Sequence, residues 1–388
     1  MSNIKELDNN YIAHSYGRFD VCLTKGKGST LYDENGKKYI DFGSGIGVTA
    51  FGICDDKWVE AVKEQLTKVQ HTSNLYYTEP CTILAKMLCD KSKMERVFFA
   101  NSGAEANEGA IKFARKYSFD KYGAGRSTII TLTDSFHGRT ITTLAATGQD
   151  MFHTTFGPFT QGFKYCEANN VEMLKEMASE DVCAIMFECI QGEGGVNTLS
   201  QEFVQAIKEI CQEKDILAIV DEVQTGNGRT GKYFAYEHYG LTPDIVSTAK
   251  GLAGGLTMGA VLFGEKLKDT VSPGSHGSTF GGNPIAAAGA ISIVERIDDD
   301  FLCEVTKKSE YIKQSILEMQ NVKSISGFGL MLGIETTKDA GEIAKECLKK
   351  GLLVLTAHKN KVRLLPALNI SYDEIDEGLK ILKEVIEE

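Results

Sequence analysis

No stretch of this 388-residue chain is long and apolar enough to span a bilayer. No run of lysine and arginine reaches the density of a nucleic-acid-binding arm or a polybasic membrane anchor. Acidic residues outnumber basic ones, 53 to 42, for a formal net charge of −11, which argues against nucleic acid as a partner. The opening segment, MSNIKELDNNYIAHSYGRFD, lacks the apolar core of a signal peptide, so a cytoplasmic location is expected. The ten cysteines are scattered and contain no C-x-x-C, so no metal site is indicated. Free, mostly buried thiols in a reducing compartment are the expectation. There is no internal repeat and no low-complexity tract. Hydrophobic residues make up 42%, enough for one large core or two unequal ones.

Hydrophobic patterning divides the chain into three parts. Residues 1–54 form an N-terminal segment joining the C-terminal domain, with a hairpin in which runs 30–33 and 38–42 flank Glu34-Asn35-Gly36-Lys37. Residues 55–275 form a large domain. It opens with helices, apolar at Trp58, Val59, Val62 and Leu66 and again at Ile83, Leu84, Met87 and Leu88. Strand candidates follow at 97–100, 128–132, 183–187, 216–220, 244–247 and 259–263, mostly separated by helix-length segments. That alternation predicts an α/β fold with a largely parallel sheet and helices on both faces. Residues 276–388 mix long helices with strands predicted to be antiparallel, forming a smaller α+β domain whose last helix opens on the capping box Ser371-Tyr372-Asp373-Glu374.

Two strand ends carry unusual residues. The run 216–220 leads into Asp221 where a continuing strand would take another apolar side chain, and the run 244–247 leads to Lys250, followed by Gly251, Gly254 and Gly255. In a parallel sheet both emerge at the carboxyl edge, where open α/β sheets place ligands. A lysine that can condense with an aldehyde and a carboxylate that can hold a pyridine nitrogen protonated are what pyridoxal phosphate (PLP) requires. Taken alone, the pair is more simply an Asp turn cap and a solvated loop lysine, and only the other strand ends turn the balance.

Other strand ends add to the set. Asn101-Ser102-Gly103-Ala104 enters a helix whose first N–H groups can receive a phosphate, though an ordinary N-cap looks the same. Phe136-His137-Gly138-Arg139 follows another strand and offers an aromatic to stack on a planar ring and a guanidinium for a substrate carboxylate. Gln191-Gly192-Glu193-Gly194 places one charge among glycines. The segment 226–232 matches G-x-G-x-x-G and nearly a Walker A loop, but Asp221–Thr225 separates it from the strand, and Tyr233 stands where a P-loop needs Ser or Thr. A nucleotide-binding enzyme built on it would be colourless when purified. A non-catalytic protein on the same scaffold is disfavoured because Asp221, Lys250 and Arg139 are all present.

The ordered motifs NSGAEANE at 101–108, FHGRT at 136–140, QGEGGV at 191–196, DEVQTG at 221–226, AKG at 249–251 and GSTFGGNP at 277–284 resemble the class III, ornithine-type PLP aminotransferases over nearly the whole chain. The resemblance implies a fold type I PLP-dependent transferase with a mostly parallel seven-stranded sheet. It implies PLP covalently bound to Lys250, Asp221 at the ring nitrogen, and Phe136 and Val223 on opposite ring faces. Gln224 would meet the phenolic oxygen, and Ser102, Gly103 and Ala104 the phosphate. Thr279 and Ser278 would come from the partner in a homodimer with shared active sites. Arg139, assisted by Tyr16, would take the substrate α-carboxylate, and Arg363 a carboxylate of glutamate, with Glu193 masking it for the other substrate. The implied reaction moves the δ-amino group of N2-acetylornithine to 2-oxoglutarate, giving glutamate; ornithine, succinylornithine, succinyldiaminopimelate or 4-aminobutanoate are alternative partners of the same pocket. The chain departs from the family pattern at Cys54, Cys189, His358 and Ala367.

Overall fold

A computed structural model describes residues 4–357 and 360–388; His358 lies outside the described residues. Its centre is a seven-stranded sheet in the order Arg96–Ala100, Gly259–Phe263, Ile245–Thr248, Leu217–Asp221, Val182–Phe187, Thr128–Leu132, Phe163–Cys166. The middle strands are buried along their whole length, as continuous apolar runs such as VCAIMF and LAIV demand when helices cover both faces. Gly259–Phe263 runs antiparallel to both neighbours, and the other pairings are parallel. Phe163–Cys166 was absent from the sequence-derived strands. It is an edge strand, partly buried, with Lys164 in its middle, and so lacks the apolar run that marks its neighbours.

Helix Gly103–Tyr122 covers one face. Ala106, Ala110, Ile111, Phe113 and Ala114 face the sheet at helical spacing and join Ile245, Val261 and Phe263 in one apolar cluster. Helix Gln201–Lys214 covers the other, capped by Ser200 Oγ, which accepts from Phe203 N.

The C-terminal part carries a second antiparallel sheet, in the order Val322–Phe328, Met331–Thr336, Lys361–Leu364, Leu355–Ala357, against helix Asp299–Leu317. The predicted capping box at Ser371 is present. Leu352–Leu353 pairs in parallel with Lys38–Asp41, so the N-terminal ribbon Leu23–Lys27, Thr30–Asp33, Lys38–Asp41 is tied to the C-terminal part by backbone hydrogen bonds. Helix Pro284–Val294 falls within 276–388 by sequence but packs against helices Asp56–Leu66 and Glu79–Ser92. Its sequence, PIAAAGAISIV, is apolar on nearly every side, as suits a helix with protein all around it. All ten cysteines are free, five of them buried. Among the described residues no helix is long and apolar enough to cross a membrane, and no side-chain group could hold a metal ion.

Candidate active site

Asp221 ends its strand in parallel register with Ser247, and Lys250 follows three residues later, so both rise at one edge of the sheet. They line a single cavity of about 410 Å³ together with Gly103, Phe136, Arg139 and Gln224. Ser102, Ala104 and Val223 complete the predicted residues that reach it.

Asp221 is held by three donors. Its Oδ1 accepts from Val223 N at 2.9 Å; its Oδ2 accepts from Asn107 Nδ2 at 2.7 Å and from His137 Nδ1 at 2.8 Å. Both partner side chains are buried. Burial works against the imidazolium of His137, but the hydrogen bond and charge of Asp221 outweigh it, and the His137 pKa is raised. Neither Asn107 nor His137 was singled out from sequence. Both lie within quoted motifs, but their convergence on one carboxylate is a property of the fold.

Lys250 stands on a left-handed backbone turn, φ 43°, an unusual conformation for a non-glycine residue. Asn227 holds that turn from behind: its Nδ2 donates to Thr248 Oγ1 at 2.9 Å and to the carbonyl of Ala249 at 3.2 Å. Among the described residues the Lys250 amine makes no hydrogen bond or ion pair. Burial lowers its pKa, assisted by the nearby Arg363 charge and opposed by Glu193, Asp221 and Glu188.

The phosphate-loop residues open helix Gly103–Tyr122. Ser102 Oγ accepts from Glu105 N at 3.2 Å, and Ser102 O from Ala106 N, which leaves the N–H groups of Gly103 and Ala104 for a ligand. Gly103 is needed for space, since a Cβ there would lie 2.6 Å from Val223 Cγ1.

Arg139 is exposed at the cavity mouth, its guanidinium 4.1 Å from the Phe152 ring centre and 5.5 Å from that of Phe136, with no carboxylate partner among the described residues. Arg363 is buried by comparison, and both of its terminal nitrogens are engaged, while its Nε has no hydrogen-bond partner among the described residues. Its Nη1 donates to Glu193 Oε1 at 2.6 Å, to Gly192 O at 3.0 Å and to Gln224 Oε1 at 3.1 Å, and its Nη2 to Glu193 Oε2 at 3.3 Å. Burial pushes the Glu193 pKa up, but the charge and hydrogen bonds of Arg363 prevail and hold it below the ordinary value. Glu188, at the cavity floor, is displaced the other way by burial, while accepting from Phe136 N and Gly192 N.

Five predicted residues do not line the cavity: Glu193 and Arg363, which lie behind Gln224, and Tyr16, Ser278 and Thr279. Tyr16 is 73% exposed beneath Arg18. Ser278 Oγ is engaged within its own chain, accepting from Asn101 Nδ2 at 3.2 Å and Gly281 N at 2.9 Å. Thr279 is exposed beside Phe280, in a loop against residues 71–74. Of the departures from the family pattern, Cys189 and Ala367 are buried core and Cys54 is exposed. The segment 226–232 opens no helix; it is a buried turn, so the backbone of a nucleotide loop is absent.

The donor set fits pyridoxal phosphate. An uncommitted amine faces the cavity, a three-donor carboxylate stands ready for a protonated ring nitrogen, and unpaired helix N–H groups suit a phosphate. The aminotransferase class-III family model matches residues 11–386. The acetylornithine aminotransferase of Haemophilus ducreyi is 53% identical over 99% of this chain and 98% of its own length. The solved N-acetylornithine aminotransferase of Stenotrophomonas maltophilia is 36% identical, with a TM-score of 0.85 over 98% of each chain. A structure of the ornithine aminotransferase of Toxoplasma gondii, described with PLP at its active site at partial occupancy, superposes with a TM-score of 0.93 at 29% identity, covering 99% of this chain and 93% of that one.

Proposed function

Because this chain belongs to the class-III aminotransferases, we propose that it transfers the δ-amino group of N2-acetylornithine to 2-oxoglutarate, forming N-acetylglutamate 5-semialdehyde and glutamate, the transamination of arginine biosynthesis. Pyridoxal phosphate is its cofactor, and when bound it supplies an aldehyde that takes up the amino group and a ring that withdraws electrons from the reacting carbon. Gly103 and Ala104 N–H groups, with Ser102, would hold its phosphate. Asp221, fixed by Asn107 and His137, would meet its ring nitrogen, Phe136 and Val223 would flank its ring, and Gln224 would meet its phenolic oxygen. Lys250 would anchor the cofactor and, as a free amine, would move the proton of the substrate carbon that bears the amino group. A lowered pKa increases the share of free amine available for that work.

The two substrates differ next to the reacting carbon. In glutamate that carbon carries a carboxylate, which Arg363 takes, while Arg139 takes the distal one. In N2-acetylornithine the reacting carbon is a CH2, and a bare guanidinium beside it would be buried and unpaired. Glu193 covers Arg363 for that half of the cycle, and Arg139 takes the α-carboxylate, with Tyr16 assisting. The observation that carries this reading is the contrast between the two arginines: Arg139 free at the cavity mouth, Arg363 already neutralised by a carboxylate on a glycine-flanked loop.

The assembly we propose is a cytoplasmic homodimer in which Thr279, with Ser278, completes the partner's site. Supporting it, Leu75, Tyr76 and Tyr77 are 86%, 70% and 103% exposed, and Phe280 is 59% exposed on the same loop as Thr279. We divide the chain at 54 and 275 along the sequence, except that helix Pro284–Val294 packs against helices of the large domain and belongs with it. Comparison of kcat/KM for N2-acetylornithine, ornithine, succinylornithine and 4-aminobutanoate tests the donor; a clear lead for any of the other three would overturn the choice.

A further inference from the structure

Arg229 is the largest fully buried side chain in the described structure, and no carboxylate is among its partners. Burial alone acts on it, lowering its pKa to about 9. A methionine would fill the same space without the cost of desolvating a charge. What the guanidinium adds is two hydrogens on one nitrogen: Nη1 donates to the carbonyl of Leu330 at 3.0 Å and to that of Pro366 at 2.5 Å.

Those carbonyls flank one end of a strand pair. Leu330 precedes Met331–Thr336, Pro366 follows Lys361–Leu364, and the strands pair Leu332 with Leu364 and Gly333 with Arg363. Arg229 therefore clamps both chains just beyond the rung next to Arg363. The docking is reinforced by Leu330 N, which donates to Arg229 O at 2.9 Å, and by Gly329, φ +53°, where a Cβ would lie 2.6 Å from that same oxygen. The loop bearing Arg229 continues directly from Asp221 and Gln224, and Gln224 itself accepts from Arg363.

We propose that Arg229 is a positioning residue for substrate specificity, registering the strand of Arg363 against the cofactor-bearing sheet so that Arg363 meets the carboxylate beside the reacting carbon. This rests on the carboxylate-binding role given to Arg363 above. The amine half-reaction, in which Arg363 is covered by Glu193, needs that registration far less.

The test uses the PLP-loaded enzyme and two readouts: binding of glutarate, a diacid that cannot be aminated, followed by perturbation of the cofactor absorbance, and the separate half-reactions with glutamate and N2-acetylornithine. Arg229→Met is expected to weaken glutarate and glutamate by roughly tenfold to a hundredfold, the usual effect of a misplaced positioning group, and N2-acetylornithine by less than about threefold. Arg229→Lys, with its donors on one shorter side chain, should recover most of this and leave a residual selective loss of about threefold to tenfold. Equal losses in both half-reactions, or unchanged glutarate binding, overturn the proposal. If Arg229→Met does not fold, Arg229→Lys is judged alone by the same selectivity. Arg363→Gln is measured in parallel. If it leaves glutarate unaffected, the role of Arg363 falls; if it weakens glutarate and the Arg229 variants do not, only the positioning claim falls.

Discussion

Glu193 and Arg363 meet at two points, Oε1 2.6 Å from Nη1 and Oε2 3.3 Å from Nη2, and both residues sit on separate elements that share no backbone pairing. In the proposed reaction one loop side chain opens and closes this contact, and the substrates are told apart by what they carry beside the reacting carbon.

Arg363→Gln removes the charge from these bonds, and charge-assisted bonds contribute about 1.5–3 kcal/mol, so KM for 2-oxoglutarate should rise roughly tenfold to a hundredfold. Glu193→Ala should act in the opposite sense, leaving Arg363 open and shifting the kcat/KM ratio toward glutamate over N2-acetylornithine by about tenfold or more. Half-reaction kinetics with each substrate measure both, and an unchanged ratio in Glu193→Ala would remove Glu193 from the scheme.

The His137–Asp221 pair makes a pH-dependent contribution to stability. The His137 pKa is raised in the folded state from its ordinary 6.5, so the contribution is complete below about pH 6.5 and is lost as pH rises through the folded value. Unfolding of wild type and His137→Leu across this range should show a difference that narrows with increasing pH. A difference that stays constant would mean the imidazole acts by packing alone.

Glu222 is fully buried, accepts from Tyr236 N at 2.9 Å and Thr225 Oγ1 at 2.5 Å, and is pushed by burial from 4.5 up to about 7. Between those values the folded chain binds more protons at this site than the unfolded chain, so stability falls as pH rises across that window. Glu222→Gln keeps the shape and abolishes the titration; its advantage over wild type should grow across the window, by at most on the order of 3 kcal/mol, and then level off. Denaturant titrations at several pH values decide it, and a flat difference would place the charge cost elsewhere.

Gly103→Ala puts a methyl 2.6 Å from Val223 Cγ1, at the floor of the cofactor site. Overpacking of this sort costs about 1–3 kcal/mol, and here it falls on the helix start and ring contact together, so cofactor affinity should drop by roughly tenfold to a hundredfold. Equilibrium dialysis against free PLP gives the constant. Wild-type affinity would show that Val223 can move aside without disturbing the site.

Much of the architecture could be read from pattern. Buried parallel strands need continuous apolar runs, and the six that were marked by such runs are all present, whereas Phe163–Cys166, a short edge strand with a lysine in it, carries no such signal. The antiparallel course of Gly259–Phe263 was also hidden, because a fully buried strand has the same composition in either direction. Helix Pro284–Val294 shows the reverse case: its position along the chain pointed to the C-terminal part, while its uniformly apolar surface fits the packing it adopts.

The linear sequence by itself determined which residue types stand at strand ends, and hence that an acid, a lysine, a helix start and Arg139 are available for chemistry at one sheet edge, whereas Arg363, inside a strand of the second sheet, came only from the family resemblance. It did so because the period and length of apolar runs fix where strands stop. Tertiary structure alone decided that Asn107 and His137 hold Asp221, that Asn227 holds the turn under Lys250, and that Arg229 clamps the strand of Arg363. Those partnerships join residues up to 137 positions apart, and a buried polar side chain takes its meaning from the donor or acceptor that folding sets against it, which no local pattern encodes.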